Sequence, residues 1–504
     1  MFEFSTFKNE TARKNYGFNM PISKDFRVYV CKKEVPVYTC RISKYPINTW
    51  WPNHQRPIDQ TEEVSYVNLV SDQEITVEVE PLTKRAFNRV MIKPYSKGVK
   101  SEIIDGKIIF TLTKNGGYVL ELDDYHGCLY LFNNKPEEKD GKDATYRFDA
   151  GVHFVGKIVL KDNESVFVHK DALVYGCIYA KDAKNIKVYG NGIFDDGNEE
   201  RVNNNCYDFT NGNLKFINCD GVSVSGVGFM NSAIWCVNIF NCKNVHIGGV
   251  NVFGQWRYNT DGIDIVNSQN VTVENCFVHS FDDSIVVKGL DYYATTDVKN
   301  ITVNNCVLWC DWGRALEIGA ETHCKKYSDV LFNNCDVIRA GFIACDIQNG
   351  DCAEIHDVTF KDIRIELENF YTAGHYQNSA QEKYDKHGEL AVTAVAVIEN
   401  PRFRELYLKG QNGHQPLPYV VPQTDRRFAS VHDVIFKDIT VYLDQKILER
   451  IDVKNAIFVS INNKIERAEF NNIKIENLSV NGKRLTEKDF SVYLNGSVKN
   501  FTVE

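Results

Sequence analysis

Two patterns of apolar and polar positions divide the chain. From Asp25 to about Asn133, short stretches alternate apolar with polar side chains: FRVYVC, VPVYTCRI, ITVEVE, KIIFTL, YVLELD and CLYLF, with turn sequences such as TKNGGY between them. A period of two puts every second side chain on one face of a strand, and short strands at this spacing predict an antiparallel β-sandwich over residues 25–133. Residues 1–24 have no clear period and read as an N-terminal arm. Residues 134–151 are polar, carry Pro and Gly, and read as a linker.

After about Val152 a single unit recurs: an apolar alternating triplet, a short polar turn, then often an Asn. KNIKVYGNGIF, DGVSVSGVGFMN, KNVHIGGVNVF, QNVTVENCFVH, KNITVNNCVLW and HDVTFKDIRI are copies of it, at intervals of roughly 20–35 residues. The copies lack a helical period, so the repeat is a solenoid of strands. Residues 152–504 are therefore predicted to form a right-handed parallel β-helix, each coil adding a strand to the same sheets. Asn-Cys pairs recur at Asn218–Cys219, Asn241–Cys242, Asn275–Cys276, Asn305–Cys306 and Asn334–Cys335. Stacked about 4.8 Å apart, such Asn side chains form a ladder and the Cys fill narrow interior positions. One gap in the repeat, at about 366–424, is polar and aromatic and reads as a long loop insertion bordering a binding cleft.

Composition narrows the function. Hydrophobic residues make up 43% of the 504 residues and the net charge is -9, which fits a globular protein and gives no basic surface for nucleic acid. No apolar stretch is long enough to span a membrane, and the N-terminal sequence lacks a signal-peptide core. The 15 cysteines are odd in number and fall mostly in strand-like runs, so reduced thiols in a cytoplasmic protein are expected. Cys306 and Cys310 lack the matching Cys or His pair that a zinc site needs, so no metal and no cofactor is expected. A homo-oligomer is left open.

The chemistry is concentrated in NTDGIDIVNSQNVTVENCFVHSFDDSIVVKG, residues 259–289, where Asp261 and Asp264 precede the Asp282–Asp283 doublet by about one coil. One coil apart in sequence is adjacent in space, and clustered carboxylates raise one another's pKa. A protonated acid beside ionised carboxylates can cleave a glycosidic bond. Neighbouring strand residues point to opposite faces, so a bend is expected at Asp282–Asp283. Asp123–Asp124 and Asp195–Asp196 read as ordinary turn residues.

From about Gly190 to Asp362 the chain resembles the polygalacturonase family of inverting glycoside hydrolases, through GNGIFDDG, FINCDGVSVSGVGFMN, NTDGID and FDDSIVVKG in order. It is also similar to the dextranases and isopullulanases, which share the β-helix and carry an N-terminal β-sandwich. The resemblance implies that Asp282 is the general acid and that Asp261 and Asp283 hold and deprotonate the attacking water. Asn259 and Asp264 would support the site, with Lys288 as a nearby charge. Two departures bear on the substrate. Pectin-degrading members carry Gly-His-Gly where this chain has WGRALEIG, so Arg314 stands at the histidine position. They carry Arg-Ile-Lys where this chain has CDIQNG, so Asp346 and Gln348 replace two uronate-gripping cations. These departures predict a neutral oligosaccharide substrate and exo action, bound by Asp346, Gln348, Glu317 and the ring of Trp312, with Trp235 and Trp256 nearby. The alternative is a uronate-containing oligosaccharide with Arg314 or Lys288 as the clamp. A carbohydrate-binding β-helix without activity, or a lyase, is the reading from another class.

Overall fold

The computed structural model describes residues 2–7, 21–44, 58, 61–83, 86–137, 140–201, 210–351, 353–367, 394–400, 429–449, 452–465 and 468–504. The N-terminal part is a sandwich of a six-stranded and a five-stranded sheet. Val28, Val77, Leu120 and Leu131 lie in the apolar core formed from the inner faces of both. Most of its strand pairs are antiparallel, as alternation and short turns favour. Thr61–Ser71 and Asp124–Asn134, however, run parallel, which corrects the all-antiparallel expectation. The N-terminal arm contributes an edge strand, Phe2–Phe4, paired to Thr61–Ser71.

The rest of the chain is a right-handed parallel β-helix, a continuous array of 29 strands from Tyr146–Phe148 to Val498–Val503. Tyr146–Phe148 and the start of Gly151–Leu160 lie in the stretch read as linker. Interior positions stack in register: Val222 lies on Val245, Val245 on Val271, Val271 on Ile301 and Ile301 on Val330. Of the insertion read over 366–424, Glu366 and Leu367 end the strand Glu354–Leu367, and Ala394–Glu399 is a strand that joins the array; residues 368–393 and 401–424 lie outside the described residues.

Asparagine marks the corners because the backbone there is left-handed, a conformation that Asn tolerates better than most residues. Asn218, Asn241, Asn275, Asn305 and Asn334 have φ between +51° and +57°. Their amides bond along the axis, Asn241 to Asn218 at 2.8 Å and Asn305 to Asn275 at 2.6 Å. A second ladder runs from Asn300 through Asn270 to Asn244, each step 3.0 Å. Gly221 takes the same corner at φ +77° in the coil that lacks the Asn.

The sandwich packs against the outer face of one β-helix sheet. Tyr38, Tyr66, Tyr130 and Phe132 meet Phe253, Phe277 and Trp309 in one buried cluster. Two buried ion pairs cross the seam, Lys93–Glu366 at 3.0 Å and Arg339–Glu121 at 2.8 Å. The edge of this sheet that leads into the next strand carries the acidic site.

Candidate active site

The site is assembled from turns on successive coils and the strands that follow them. Asn259 and Asp261 lie between strands Asn251–Val252 and Ile263–Val266. Asp282 and Asp283 lie in the break between Phe277–Ser280 and Ile285–Gly289, so the expected bend is present. Backbone bonds join the two turns directly: Gly262 N–H donates to the Asp283 carbonyl at 2.8 Å, and Phe281 N–H to that of Thr260 at 3.1 Å. The aspartates are thus neighbours on adjacent coils, in turns rather than on rungs of the sheet.

The strands form the floor. Asp264 pairs in register with Val286, Val286 with Glu317, and Glu317 with Asp346, which places three acidic residues in one column. All three are fully buried. Lys288 rises among the first carboxylates, its Nζ 2.7 Å from Asp261, 3.1 Å from Asp264 and 4.0 Å from Asp283. The same ammonium sits 3.7 Å above the Trp235 ring. Arg314 covers the next coil: its backbone N–H donates to Asp283 at 3.0 Å, Nη1 lies 3.8 Å from Asp283, and Nε lies 3.4 Å from Asp346. Among the described residues, the ion pairs of Arg314 are those with Asp283 and Asp346.

Burial and crowding set the protonation states. Burial, then the neighbouring Asp283 charge, pushes Asp282 up to about 8, against Lys288 and Arg314. Asp282 therefore carries its proton at neutral pH, the state a general acid needs. Burial also holds Asp261 well above the ordinary carboxylate range, with Lys288 pulling the other way and Asp264, Asp282 and Asp283 adding to the rise. Burial raises Asp264 and Asp346 to about 7 each, opposed by Lys288 and by Arg314 respectively. Asp261 and Asp264 overcome burial at Lys288 and keep its ammonium charged. Two cations therefore stand among a larger set of acids, so the cluster retains protons and some negative charge together.

The remaining sequence candidates divide. Asn259 donates to Asp261 at 3.4 Å, and its own carbonyl accepts from Arg201 at 3.2 Å. Trp312 stacks on Phe281, with centroids 6.0 Å apart, and lies beside Tyr258, forming an aromatic wall. Gln348 donates to Glu399 at 3.0 Å. Glu317, Asp346 and Gln348 all have buried oxygens without a hydrogen-bond partner, a supply of acceptors for sugar hydroxyls. Trp235 lies beneath Lys288, and Trp256 donates to Asn231 at 3.2 Å; neither forms part of the wall.

Three features went unread in the sequence. Gly313 fits between the acids, where a Cβ would lie 2.3 Å from Asp283 Oδ1 and 2.7 Å from Asp282 Oδ1. Asp195 and Asp196 are buried rather than ordinary turn residues. Asp195 accepts from Gly197 N–H at 2.7 Å and from Asn231 at 3.0 Å, while Asp196 accepts from Ala233 N–H at 3.1 Å. Arg257 ties this loop to the Asn259 turn by donating to the carbonyls of Gly197 at 2.9 Å and Glu199 at 3.1 Å. The doublet DDG beside a strand end was the available signal.

Comparison with known proteins matches residues 138–385 to the model of glycosyl hydrolases family 28. A protein of Arabidopsis thaliana named as a probable polygalacturonase is 24% identical over 183 residues, 34% of this chain and 38% of that protein. One of Aspergillus oryzae named as probable rhamnogalacturonase A is 29% identical over 121 residues, 24% of each chain. The chain thus spans well under half the length of these curated relatives. The solved structure of Dex49A from Penicillium minioluteum aligns over 96% of this chain and 95% of its own, with a TM-score of 0.63 at 13% identity, a likeness of fold that includes the N-terminal part. The matched stretch, residues 138–385, holds the entire carboxylate cluster, so the site lies in the part of the chain that is similar to glycosyl hydrolases family 28.

Proposed function

We propose that the protein is an inverting O-glycosyl hydrolase of uronate-containing glycans. The observation that carries the hydrolase reading is the buried Asp282, pushed up to about 8, beside Asp261 and Asp283 in turns joined across one coil. Asp282 gives its proton to the leaving oxygen. Asp261 and Asp283 orient a water on the opposite side of the sugar, the water's proton passes to Asp283, and Lys288 supplies the counter-charge. A positioned acid of this kind contributes on the order of 10²–10⁴-fold, and an inverting pair leaves room for the water between acid and base.

The substrate class departs from the neutral sugar expected from Asp346 and Gln348. The relatives are named polygalacturonase and rhamnogalacturonase, which supports the uronate alternative. Asp346 is not the uncompensated charge that the sequence suggests, because Arg314 Nε stands 3.4 Å from it. Arg314 is then the group for a substrate carboxylate. A neutral substrate is the second reading, favoured by the unpartnered oxygens of Glu317 and Asp346. The test is kcat/KM on a uronate oligosaccharide and on its carboxyl-reduced counterpart, for the native protein and for Arg314→Gln. Preference for the acid form, lost in Arg314→Gln, supports the proposal. Preference for the reduced form in both proteins overturns its substrate class.

A further inference from the structure

Away from the carboxylate cluster, the sandwich and the β-helix enclose a groove of about 460 Å³, within the range of small-molecule sites, ~300–1,000 Å³. It lies along the opposite edge of the β-helix sheet that carries the sandwich, beside the corner residues Gly248, Gly249 and Asn275. Its lining holds two lysines, Lys97 and Lys135, two carboxylates, Glu137 and Glu274, and a set of hydrogen-bond acceptors. Lys97 Nζ donates to the Gly117 carbonyl at 3.2 Å and lies 3.9 Å from the centroid of the Tyr118 ring. Among the described residues no carboxylate forms an ion pair with it. Asp336 acts on it only at longer range and is itself held by Arg364 at 2.5 Å, while burial pushes the Lys97 ammonium down to about 8.

Three asparagines supply the acceptors. Asn115 donates its amide N–H groups to the carbonyls of Ser71 at 2.8 Å and Asn133 at 3.2 Å. Asn191 donates to the Lys135 carbonyl at 3.2 Å. Asn251 donates at 2.7 Å to Asn134, whose own amide is anchored on the Leu69 carbonyl at 3.1 Å. Backbone carbonyls cannot donate, so these partners fix each amide's orientation and leave Asn115, Asn191 and Asn251 Oδ1 as acceptors. His246 and Glu274, paired at 2.9 Å, line the same groove.

We infer that this groove is a second carbohydrate site, which takes a hydroxyl-rich carboxylate: a uronate whose acid group meets Lys97 and whose hydroxyls donate to Asn115, Asn191 and Asn251. The choice of a sugar acid rests on the substrate class proposed above. The acceptors argue against an acceptor-only anion such as sulfate, which would face amide oxygens with no proton to offer. The ammonium argues against a neutral sugar alone, since a charge-assisted bond to a carboxylate is the stronger contact.

The test uses the full chain with Asp282→Asn, which slows turnover, titrated calorimetrically with digalacturonate at slightly acidic pH. Two binding events are expected. Adding Lys97→Met should weaken one of them roughly tenfold or more and leave the other unchanged. Hydrogen exchange on the protein that retains Lys97 gives an independent readout: digalacturonate should protect residues 115–117 and 248–251, and carboxyl-reduced disaccharide or sulfate should not. An unchanged titration with Lys97→Met, or equal protection by sulfate, overturns the inference. Protection of the groove in a protein that fails to turn over uronates would leave this site standing and remove the proposed substrate instead.

Discussion

Gly313→Ala isolates the geometry of the acids from their identity. A Cβ at this position would lie 2.3 Å from Asp283 Oδ1, 2.7 Å from Asp283 N and 2.7 Å from Asp282 Oδ1. To restore ordinary contact at about 3.5 Å, Asp283 Oδ1 must retreat by about 1.2 Å, the difference 3.5 − 2.3. That movement also strains the bond from Arg314 N–H to Asp283, now 3.0 Å. Displacement of a reacting group by about 1 Å can cost on the order of 10²-fold in rate. Overpacking of this kind costs about 1–3 kcal/mol of stability, which a β-helix of stacked coils should survive folded. Steady-state kinetics on a defined oligosaccharide, with circular dichroism as the folding control, should therefore show kcat reduced by roughly two orders of magnitude. A folded Gly313→Ala protein within about threefold of the native rate would refute the claim that Asp282 and Asp283 act from these positions.

Other predictions test separate parts of the account. Asp282→Asn should reduce turnover of an unactivated substrate by about 10²–10⁴-fold, and combining it with Asp261→Asn should add little, because the carboxylates act as a unit. Folded-state pKa values of about 8 for Asp282 and about 7 for Asp264 and Asp346 lie above the unfolded value of about 3.9. The folded state then binds more protons between these limits, so stability is full below about pH 4 for these groups and declines as pH rises towards 8. Melting temperatures across that window should fall less steeply in Asp282→Asn; an identical slope would contradict the raised pKa. Lys93→Met leaves Glu366 buried without its ammonium partner across the seam, with only the Tyr95 N–H bond retained among the contacts described, and should cost about 3–5 kcal/mol, with much of the loss recovered in Lys93→Met/Glu366→Leu. We also propose a reducing compartment, so thiol titration of unreduced, denatured protein should find nearly all 15 cysteines free.

What could be read from the sequence was whatever a single coil encodes. The Asn at each corner is legible because left-handed backbone selects it, and the repeat follows from those Asn and the apolar triplets between them. The 21-residue spacing from Asp261 to Asp282 placed the acids on adjacent coils, and the doublet itself demanded a bend. Contacts between coils of unequal length were not legible. Arg314 reaches Asp346 only because their strands pair in a register that no local pattern states, and without that partner Asp346 read as a repulsive charge. The docking of the sandwich was hidden for the same reason: Phe253, Phe277 and Trp309 look like core residues of their own coils but face Tyr66, Phe132 and Tyr130 outside them. AVAVIE at Ala394–Glu399 alternates as a strand does, yet the polar sequence around it masked the signal.

The central claim is that Asp282 protonates the leaving group while Asp261 and Asp283 direct water to the opposite face of the sugar. Proton NMR of the first-formed product from a uronate oligosaccharide of known linkage tests it most directly. The new reducing end should appear with the anomeric configuration opposite to that of the cleaved bond. A product that first appears with the original configuration would mean a covalent intermediate and would contradict the assigned roles of all three aspartates.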